Sequence, residues 1–423
     1  MLKGRSPILG VDARSPWAKG ADLWYDFTKK ANGITDTHAD TIYAARADGL
    51  YLPYAANVLT RDSNGLQTVP TRTNLVLRST DASNAEWVSS NATHTAGQAD
   101  LLGGTGAGLI TGSGGAAAAY SAPNGVTAIS YTNTTVYSFS RFVKAGTQTL
   151  VQLTAPSTAF GTGQYANFNL TTAAVVGSAG LTSSSITAFA GGWYRLTITL
   201  PATATTTSIN GGILAFINAA GDTRLPNFTG TTTFTDFGAQ VEVGAFSSPL
   251  IVTTSAAVTV NGNQQVISGL GTQLAVGVAG IVQVNQIAPA VSGYAARWLE
   301  FSDGTGSNFA RLSDNTSGAF QTNVTAATVD QGSVTGAGGT FVVGVTTIAF
   351  AFGSNFNKFR IVGGADTTAD TSVTWPALTQ LAIGGRGFDT SRNNYQFAKK
   401  LALKFGPQNA TTFDEWYRKA LTA

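Results

Sequence analysis

The chain has 423 residues, enough for two or three domains with well-buried cores. Only 11% of the residues are charged, against roughly 25% in ordinary soluble domains, and the net charge is +3. Cysteine is absent, which excludes disulfides and thiolate metal sites. We see no basic stripe typical of nucleic-acid binding and no apolar run near the ~18 residues of a membrane helix. We therefore expect no cofactor, no metal, no nucleic acid and no membrane insertion.

Residues 1–50 are rich in charged and aromatic side chains, with 13 of the chain's 47 charged residues. "ADLWYDFT" alternates like a strand, and "IYAARADGLYLPYAA" is typical of a hairpin that turns at Asp48-Gly49. Trp, Tyr and Arg are residue types that anchor protein interfaces. We therefore predict an N-terminal anchoring arm with lead-in hairpins at residues 1–71. The residues assigned to its interface are Arg5, Arg14, Trp17, Trp24 and Tyr25.

From residue 72 onward, short β-forming segments alternate with clusters of Gly, Ser, Thr and Asn. The first set includes "TVYSFSRFVKAG", "WYRLTITL" and "FTDFGAQVEV", and the second includes "GIVQVNQI", "ARWLEFSD" and "KKLALKFGP". Regular short strands separated by turn signals are typical of sandwiches and barrels. We predict an all-β fold with two antiparallel, jelly-roll-like β-sandwiches, at residues 72–250 and 251–423.

The sequence predicts one short C-terminal helix in "TTFDEWYRKALTA". Four residues recur at helical spacing and form its apolar face: Phe413, Trp416, Tyr417 and Ala420. Thr412 with Glu415 three residues later fits a capping box, which predicts that the helix begins at Thr412. We expect the apolar face to pack on the second sandwich.

Several stretches resemble, in the same order, the landmarks of a β-sandwich module found in phage virion fibre and head-spike proteins. They are "TRTNLVLRSTDASNAEW", "YSFSRFVKAG", "GGWYRLTITL" and "FGAQVEVGAFSSPLI". In the C-terminal half, "LEFSDGTGSNFARLSDNTSGAFQTNV" and "FAKKLALKFGPQNATTFDEWYRKAL" resemble a laminin-G or concanavalin-like jelly roll. The two resemblances together span about residues 20–423.

The resemblance implies a structural protein on the surface of the phage particle, a tail fibre or a head fibre or spike, which attaches to host surface polysaccharide. It implies other virion proteins as partners (the capsid, the portal or a tail adaptor) and a homo-oligomer, with a trimer favoured. It implies no fixed set of site residues, and we predict that the protein is not an enzyme. Two alternatives stay open: a head decoration or structural fibre without a ligand, and a capsule polysaccharide depolymerase.

A depolymerase would need two carboxylates about 5–10 Å apart. In "FTDFGAQVEV", simple alternation places Asp236, Gln240 and Glu242 on one face of a strand. The strand separates Asp236 from Glu242 by roughly 20 Å, which is too far for both to act on one bond. We therefore predict no catalytic residues and a structural role for Glu242, such as pairing with an arginine.

The segments "RWLEF", "FARLS" and "FQTNV" suggest a sugar-binding face on the second sandwich. If Leu299, Phe301 and Leu312 face the core, simple alternation turns the polar residues between them outward. The residues predicted on this face are Trp298, Glu300, Arg311, Gln321 and Asn323. An exposed ring beside planar hydrogen-bonding side chains suits a pyranose, whose apolar face stacks while its hydroxyls need donors and acceptors. The alternative is that Trp298 packs under a loop or a neighbouring subunit, and that Glu300 pairs with Arg311.

A second candidate rim lies in "GGRGFDTSRNNY", a Gly-rich stretch typical of a long surface loop. Its candidate residues are Arg386, Phe388, Asp389, Asn394 and Tyr395. The stretches "SDGTGSN" and "SDNTSGA" are rich in oxygen ligands, and laminin-G-like modules sometimes bind calcium at such rims. Neither stretch matches an EF-hand loop, so calcium stays open and no metal ligand is assigned.

Overall fold

A computed structural model describes residues 17–18, 20–29, 33–45, 50–62, 64–287, 297–314, 319–340, 343–386 and 395–422. These residues are almost entirely β, as the sequence predicts. The N-terminal strands are β1 (Leu23–Asp26), β2 (Thr35–Thr37), β3 (Ile42–Ala45), β4 (Tyr51–Tyr54), β5 (Arg61–Asp62), β6 (Gly65–Thr68) and β7 (Arg72–Asn74).

The middle of the chain supplies a second group of strands and two short helical turns. The strands are β8 (Val88–Ser90), β9 (Ala92–Gln98), β10 (Ala107–Gly112), β11 (Tyr120–Ala122), β12 (Ile129–Tyr131), β13 (Val136–Ala145), β14 (Leu150–Thr154), β15 (Tyr165–Asn169), β16 (Ala174–Ala179), β17 (Ser183–Ala188), β18 (Trp193–Pro201), β19 (Thr206–Ser208), β20 (Ile213–Phe216) and β21 (Thr233–Val243). The helical turns are α1 (Ser157–Phe160) and a 3-10 turn (Ala190–Gly192).

The C-terminal part supplies the third group and the longer helix. The strands are β22 (Val258–Val260), β23 (Gln264–Ile267), β24 (Gly277–Gln286), β25 (Arg297–Ser302), β26 (Phe309–Asp314), β27 (Ala319–Ala326), β28 (Val329–Thr340), β29 (Gly344–Gly353), β30 (Phe356–Ile361), β31 (Gln380–Ile383) and β32 (Gln396–Phe405). The helix is α2 (Ala410–Ala420).

The chain forms two compact units. Unit 1 is built from the described residues of 1–41, 54–71 and 261–423, and unit 2 from those of 42–53 and 72–260. Both units therefore contain part of the segment 1–71. The sequence-based boundaries at 71/72 and 250/251, and the independent folding of the two sandwiches, stay predictions.

Unit 2 is a sandwich of two six-stranded sheets. Their strand orders are β17-β18-β13-β21-β10-β9 and β16-β15-β14-β20-β11-β8. The pairs within both sheets are antiparallel. On β13, Tyr137, Phe139 and Val143 are buried in the core between the sheets, as the alternation of "TVYSFSRFVKAG" predicts.

A β-bulge interrupts the alternation of β21. Ser140 pairs with Gln240 but Phe142 pairs with Phe237, so β21 takes three steps where β13 takes two. Gly238 occupies the bulge with φ of +62°, in the left-handed region that favours glycine. A bulge of one residue exchanges the inward and outward sides of the strand beyond it.

Unit 1 is a second sandwich of two antiparallel sheets. Sheet A has the order β30-β29-β24-β32-β6-β5, and β1 also pairs with β32. Sheet B has the order β2-β23-β31-β25-β26-β27-β28. The core between them includes Leu299, Phe301, Phe350 and Leu401. The run β25-β26-β27-β28 is the meander on which the predicted sugar-binding face depends.

Helix α2 packs on the outer side of sheet A through its apolar face, as predicted. Phe413, Trp416 and Ala420 are buried there against small residues of the sheet. The predicted start is wrong, because Asn409 is the N-cap and Thr412 completes the capping box. The Asn409 side chain accepts a hydrogen bond from the Thr412 N–H at 3.0 Å, and the Thr412 hydroxyl accepts one from the Asn409 N–H at 2.9 Å.

The described part of the predicted N-terminal arm is built into the two units. β1 pairs antiparallel with β32, and β3 pairs with β4 as the hairpin prediction requires. Trp17 and Trp24 are buried in the cluster beneath α2, and Tyr25 lies in the main core of unit 1. The prediction that these three rings are exposed interface anchors is therefore wrong. Arg5, Arg14 and the turn at Asp48-Gly49 lie outside the described residues.

Candidate functional site

The outer side of β25–β28 in unit 1 is polar, and we call it the polar face. The strand register aligns its side chains in three rows that run across the strands. The rows are Arg297, Ser313, Gln321 and Thr335; Glu300, Arg311, Asn323 and Ser333; and Ser302, Phe309, Thr325 and Asp330. This register matches the prediction that Glu300, Arg311, Gln321 and Asn323 share one side of a meander.

Trp298 does not belong to the polar face, and its predicted outward position is wrong. Arg297 pairs with Ser313, whereas Leu299 pairs with Leu312, so a β-bulge lies at Trp298. The bulge turns the ring of Trp298 into the core, where it is 1% exposed and meets the ring of Phe320 edge-on at 4.2 Å between centroids. Trp298 is therefore packed, but in the core of unit 1 rather than under a loop or a neighbouring subunit.

Phe309 supplies the aromatic ring of the polar face. It is half-buried, and the guanidinium carbon of Arg311 lies 4.5 Å from its ring centroid. The alternation already contained this signal, because Phe309 has the same parity as Arg311. The sequence-based prediction assigned the platform to Trp298 instead, because alternation with Leu299 and Phe301 turned Trp298 outward.

Access varies across the polar face. Glu300 and Asn323 are buried, at 1% and 5% exposure, while Arg311 and Gln321 are half-buried. Asp330 is exposed and lies at the edge strand of the face. The accessible part of the face is therefore the region around Phe309, Arg311 and Asp330 rather than the strand that carries Glu300.

Asn323 is the centre of a hydrogen-bond network on this face. Its side-chain amide donates to Asp330 Oδ1 and to Ser333 Oγ, each at 2.8 Å. The Ser333 hydroxyl donates to Asp330 Oδ2 at 3.2 Å, and the Thr325 hydroxyl donates to Asn323 Oδ1 at 3.3 Å. These bonds hold the four side chains in one arrangement within the face.

Two carboxylates lie at the end of the face that carries Phe309. Asp330 belongs to the same cross-strand row as Phe309, and Asp303 directly follows Ser302, which pairs with Phe309. Although partial burial opposes it, hydrogen bonds from Thr305 and Asn308 lower the pKa of Asp303. Asp303 is therefore ionised at neutral pH and adds negative charge to the rim.

Deeper in the face, the charges are paired. Arg297 Nε lies 3.4 Å from Glu300 Oε2, and both side chains are almost completely buried. This ion pair, rather than the predicted alternative with Arg311, holds the Glu300 carboxylate within the sheet.

Of the second candidate rim, only Arg386 and Tyr395 are among the described residues, and both are half-buried. The backbone carbonyl of Tyr395 accepts a hydrogen bond from the N–H of Ile287 at 3.0 Å. Phe388, Asp389 and Asn394 lie outside the described residues. A binding role for this rim stays a prediction.

In unit 2, the bulge at Gly238 separates the two acids that were candidates for catalysis. Asp236 and Glu242 were predicted on one side of β21, but they lie on opposite sides. Asp236 points into the core and pairs with Arg141, whose Nε lies 3.0 Å from Asp236 Oδ1. Asp236 also accepts a hydrogen bond from Ser121 on the opposite sheet at 2.9 Å. This arrangement ties the two sheets together.

Glu242 lies on the outer side of β21 and is completely buried. Its carboxylate accepts hydrogen bonds from Gln240 Nε2 at 2.6 Å and from the Ser248 N–H at 3.0 Å. Burial raises the pKa of Glu242, against the hydrogen bonds of Ser248 and Gln240 and the charges of Arg195 and Arg72. The carboxylate holds the segment after β21 against the sheet, which is the structural role that the sequence predicts.

The described residues contain no group of three His, Cys, Asp or Glu side chains placed to hold a metal ion. In the "SDGTGSN" stretch, the carboxylate of Asp303 is engaged by Thr305 and Asn308. Within the described chain, no helix has the length and apolar character needed to span a membrane.

Comparison with known proteins leaves the family open. No family model matches the chain, and no curated protein matches it. The solved structures that align with it include domains LG4-5 of the mouse laminin alpha1 chain, with 11% identity, a TM-score of 0.25, and coverage of 78% of this chain and 92% of that chain. A Trypanosoma rangeli sialidase in complex with the inhibitor DANA aligns with 11% identity, a TM-score of 0.26, and coverage of 75% and 60%. Neither TM-score is high enough to support an argument about function.

Proposed function

We propose that this chain is a non-enzymatic surface protein of a phage particle that binds host polysaccharide through the polar face of unit 1. The observation that carries the proposal is the Phe309–Arg311 stack beside the preorganised network of Asn323, Thr325 and Asp330. A pyranose needs an aromatic surface for its C–H face and fixed polar atoms for its hydroxyls, and the polar face holds both.

The remaining parts of the proposal rest on the resemblance to phage fibre and head-spike modules. They are the location on the particle surface, the partnership with capsid, portal or tail adaptor proteins, and a homotrimeric assembly. The absence of enzyme activity is supported by the state of the two β21 acids, since Asp236 and Glu242 are fully buried and hydrogen-bonded within the fold. Neither is placed to reach a glycosidic bond.

The test is a glycan array followed by titration calorimetry, comparing Phe309→Ala with the unmodified chain. We expect about tenfold weaker binding, which corresponds to about 1.4 kcal/mol, with a melting temperature close to that of the unmodified chain. The matched control is Tyr417→Ala, because Tyr417 forms a similar stack with Arg360, at 4.3 Å, on the outer side of sheet A. The control should bind normally.

Three results would contradict the proposal. They are a blank array for the full chain, equal losses in the Phe309 and Tyr417 variants, and release of reducing ends from host polysaccharide. A blank array would favour a head decoration or structural fibre without a ligand, and released reducing ends would favour a depolymerase.

A further inference from the structure

The hydrogen bonds within the polar face determine which ligand groups it can accept. Both amide protons of Asn323 are used by Asp330 and Ser333. The hydroxyl protons of Ser333 and Thr325 are used by Asp330 and Asn323. The donors of these three side chains are therefore satisfied within the face, and the face presents none of them to a ligand.

Acceptors also dominate the row that contains Phe309. Asp330 brings two carboxylate oxygens that stay exposed after accepting from Asn323, Ser333 and the N–H of Gly332. A ligand that lies along this row must supply hydrogen-bond donors.

The charges of the face also favour an uncharged ligand. Arg297 and Glu300 neutralise each other in a buried pair, and the accessible part of the face carries Arg311 together with the carboxylates of Asp330 and Asp303. Asp303, whose pKa is lowered by its hydrogen bonds, leaves the rim with an excess of negative charge. A carboxylate, sulfate or phosphate on a sugar at Phe309 would meet two aspartates, and like charges held together at an interface are unfavourable.

From these observations we infer that the polar face selects uncharged glycans, built from neutral hexoses or N-acetylhexosamines, over polysaccharides that carry acidic groups. The inference rests on the proposed function of the same face. Sugar hydroxyls and N-acetyl N–H groups are the donors that the acceptor-rich row needs, and Asp330 with Asp303 excludes the anionic classes. Asp330 is the residue that determines the specificity.

The experiment uses one polysaccharide backbone in two charge states. A uronic-acid-containing host polysaccharide is immobilised as isolated and after carbodiimide-mediated reduction of its carboxyl groups, and a neutral polymer is compared with its carboxymethylated form. We expect the full chain to bind the neutral members at least tenfold more tightly. We also expect neutral binding to change less than twofold between low and high salt, because screening acts only on charge–charge attraction.

Asp330→Asn tests the residue itself. The amide oxygen of asparagine can still accept from Asn323 and Gly332, so the face should fold while losing one negative charge. We expect the preference for the neutral members to fall at least threefold. Asp414→Asn, an equal change of charge on the exposed side of α2, is the matched control and should leave the preference unchanged.

The outcomes separate this inference from the proposed function. If Phe309→Ala abolishes binding but the acidic members bind as tightly as the neutral ones, the glycan-binding function stands and the inference is overturned. An Asp330→Asn variant with unchanged preference also overturns it. If no member of either pair binds, or if Phe309→Ala has no effect, the proposed function fails and the inference falls with it.

Discussion

Unit 1 and unit 2 are both β-sandwiches, but they place their charged side chains differently. Unit 2 contains seven Lys or Arg and seven Asp or Glu, and it buries the Arg141–Asp236 pair between its two sheets. Unit 1 contains 18 and 15, and it buries the Arg297–Glu300 pair on the outer side of sheet B. The buried pair of unit 2 therefore contacts the opposite sheet through Ser121, whereas the buried pair of unit 1 lies within a single strand, β25.

Each unit also contains a buried acid that accepts hydrogen bonds from a different part of the chain. In unit 1, Asp36 accepts hydrogen bonds from the Thr60 N–H and from Asn263 and Gln265, and burial raises its pKa. In unit 2, Glu242 holds the segment around Ser248 against β21. Each acid is a fixed acceptor for backbone and amide donors, which makes it a structural element rather than a reactive group.

The largest loss of stability should follow when one partner of the buried pair in unit 2 is removed. We expect Asp236→Ala to destabilise unit 2 by about 3–5 kcal/mol, because Arg141 is left buried without its counterion. Unit 1 should be unaffected. Hydrogen exchange read at β13 and β21, against β24 and β32, measures the two units in one sample.

The matched control in unit 1 is Asp22→Ala, which removes a partner of the exposed Lys404–Asp22 pair at 2.9 Å. Solvent screens this pair, so the loss should be no more than about 1 kcal/mol. The double variant Arg141→Met with Asp236→Leu should recover much of the stability lost in unit 2. Equal losses from the buried and exposed pairs would refute the idea that unit 2 depends on its internal charge.

The sequence predicts the type and order of the elements well, because alternation, turn residues and helical spacing are local signals. It fails at two β-bulges. In "DFGAQVEV", the glycine within the strand was a readable sign of a bulge, and missing it placed Asp236 on the same side of the strand as Glu242. In "RWLEF", no such sign exists, because Trp298 is apolar and fits the core as well as an exposed platform.

The candidate site was predicted only in part for the same reason. Glu300, Arg311 and Asn323 lie in one row because β25–β27 pair in a simple meander. Their burial depends on tertiary packing, which alternation does not report. The N-terminal rings were misassigned likewise: Trp17 and Trp24 look like interface anchors in sequence, yet α2, almost four hundred residues later, covers them.

The stability of the folded chain should depend on pH through its buried acids. The pKa of Glu242 is raised in the folded state, so the native chain binds more protons than the unfolded chain between the unfolded value, near 4.5, and the raised value. Stability from this group is complete below that window and is lost as pH rises through it. A tenfold difference in proton affinity between the folded and unfolded chains corresponds to about 1.4 kcal/mol of stability.

Glu242→Gln should remove the loss of stability that occurs as pH rises, and only in unit 2. The measurement is the difference in unfolding free energy between the variant and the unmodified chain at each pH. Asp36→Asn should do the same for unit 1, because burial also raises the pKa of Asp36. A difference that stays constant with pH would show that Glu242 is not protonated on folding.

Two substitutions at the start of α2, in unit 1, should have the smallest effects on stability. Asn409→Ala removes the side-chain acceptor for the Thr412 N–H and should cost about 1 kcal/mol of unit 1 stability, with no change in unit 2. The predicted start at Thr412 would instead require Glu415 to complete the capping box. Glu415 pairs with Lys419 at 2.8 Å on the surface, so Glu415→Gln should cost at most about 0.5 kcal/mol. A larger loss from Glu415→Gln than from Asn409→Ala would restore the start that the sequence predicted.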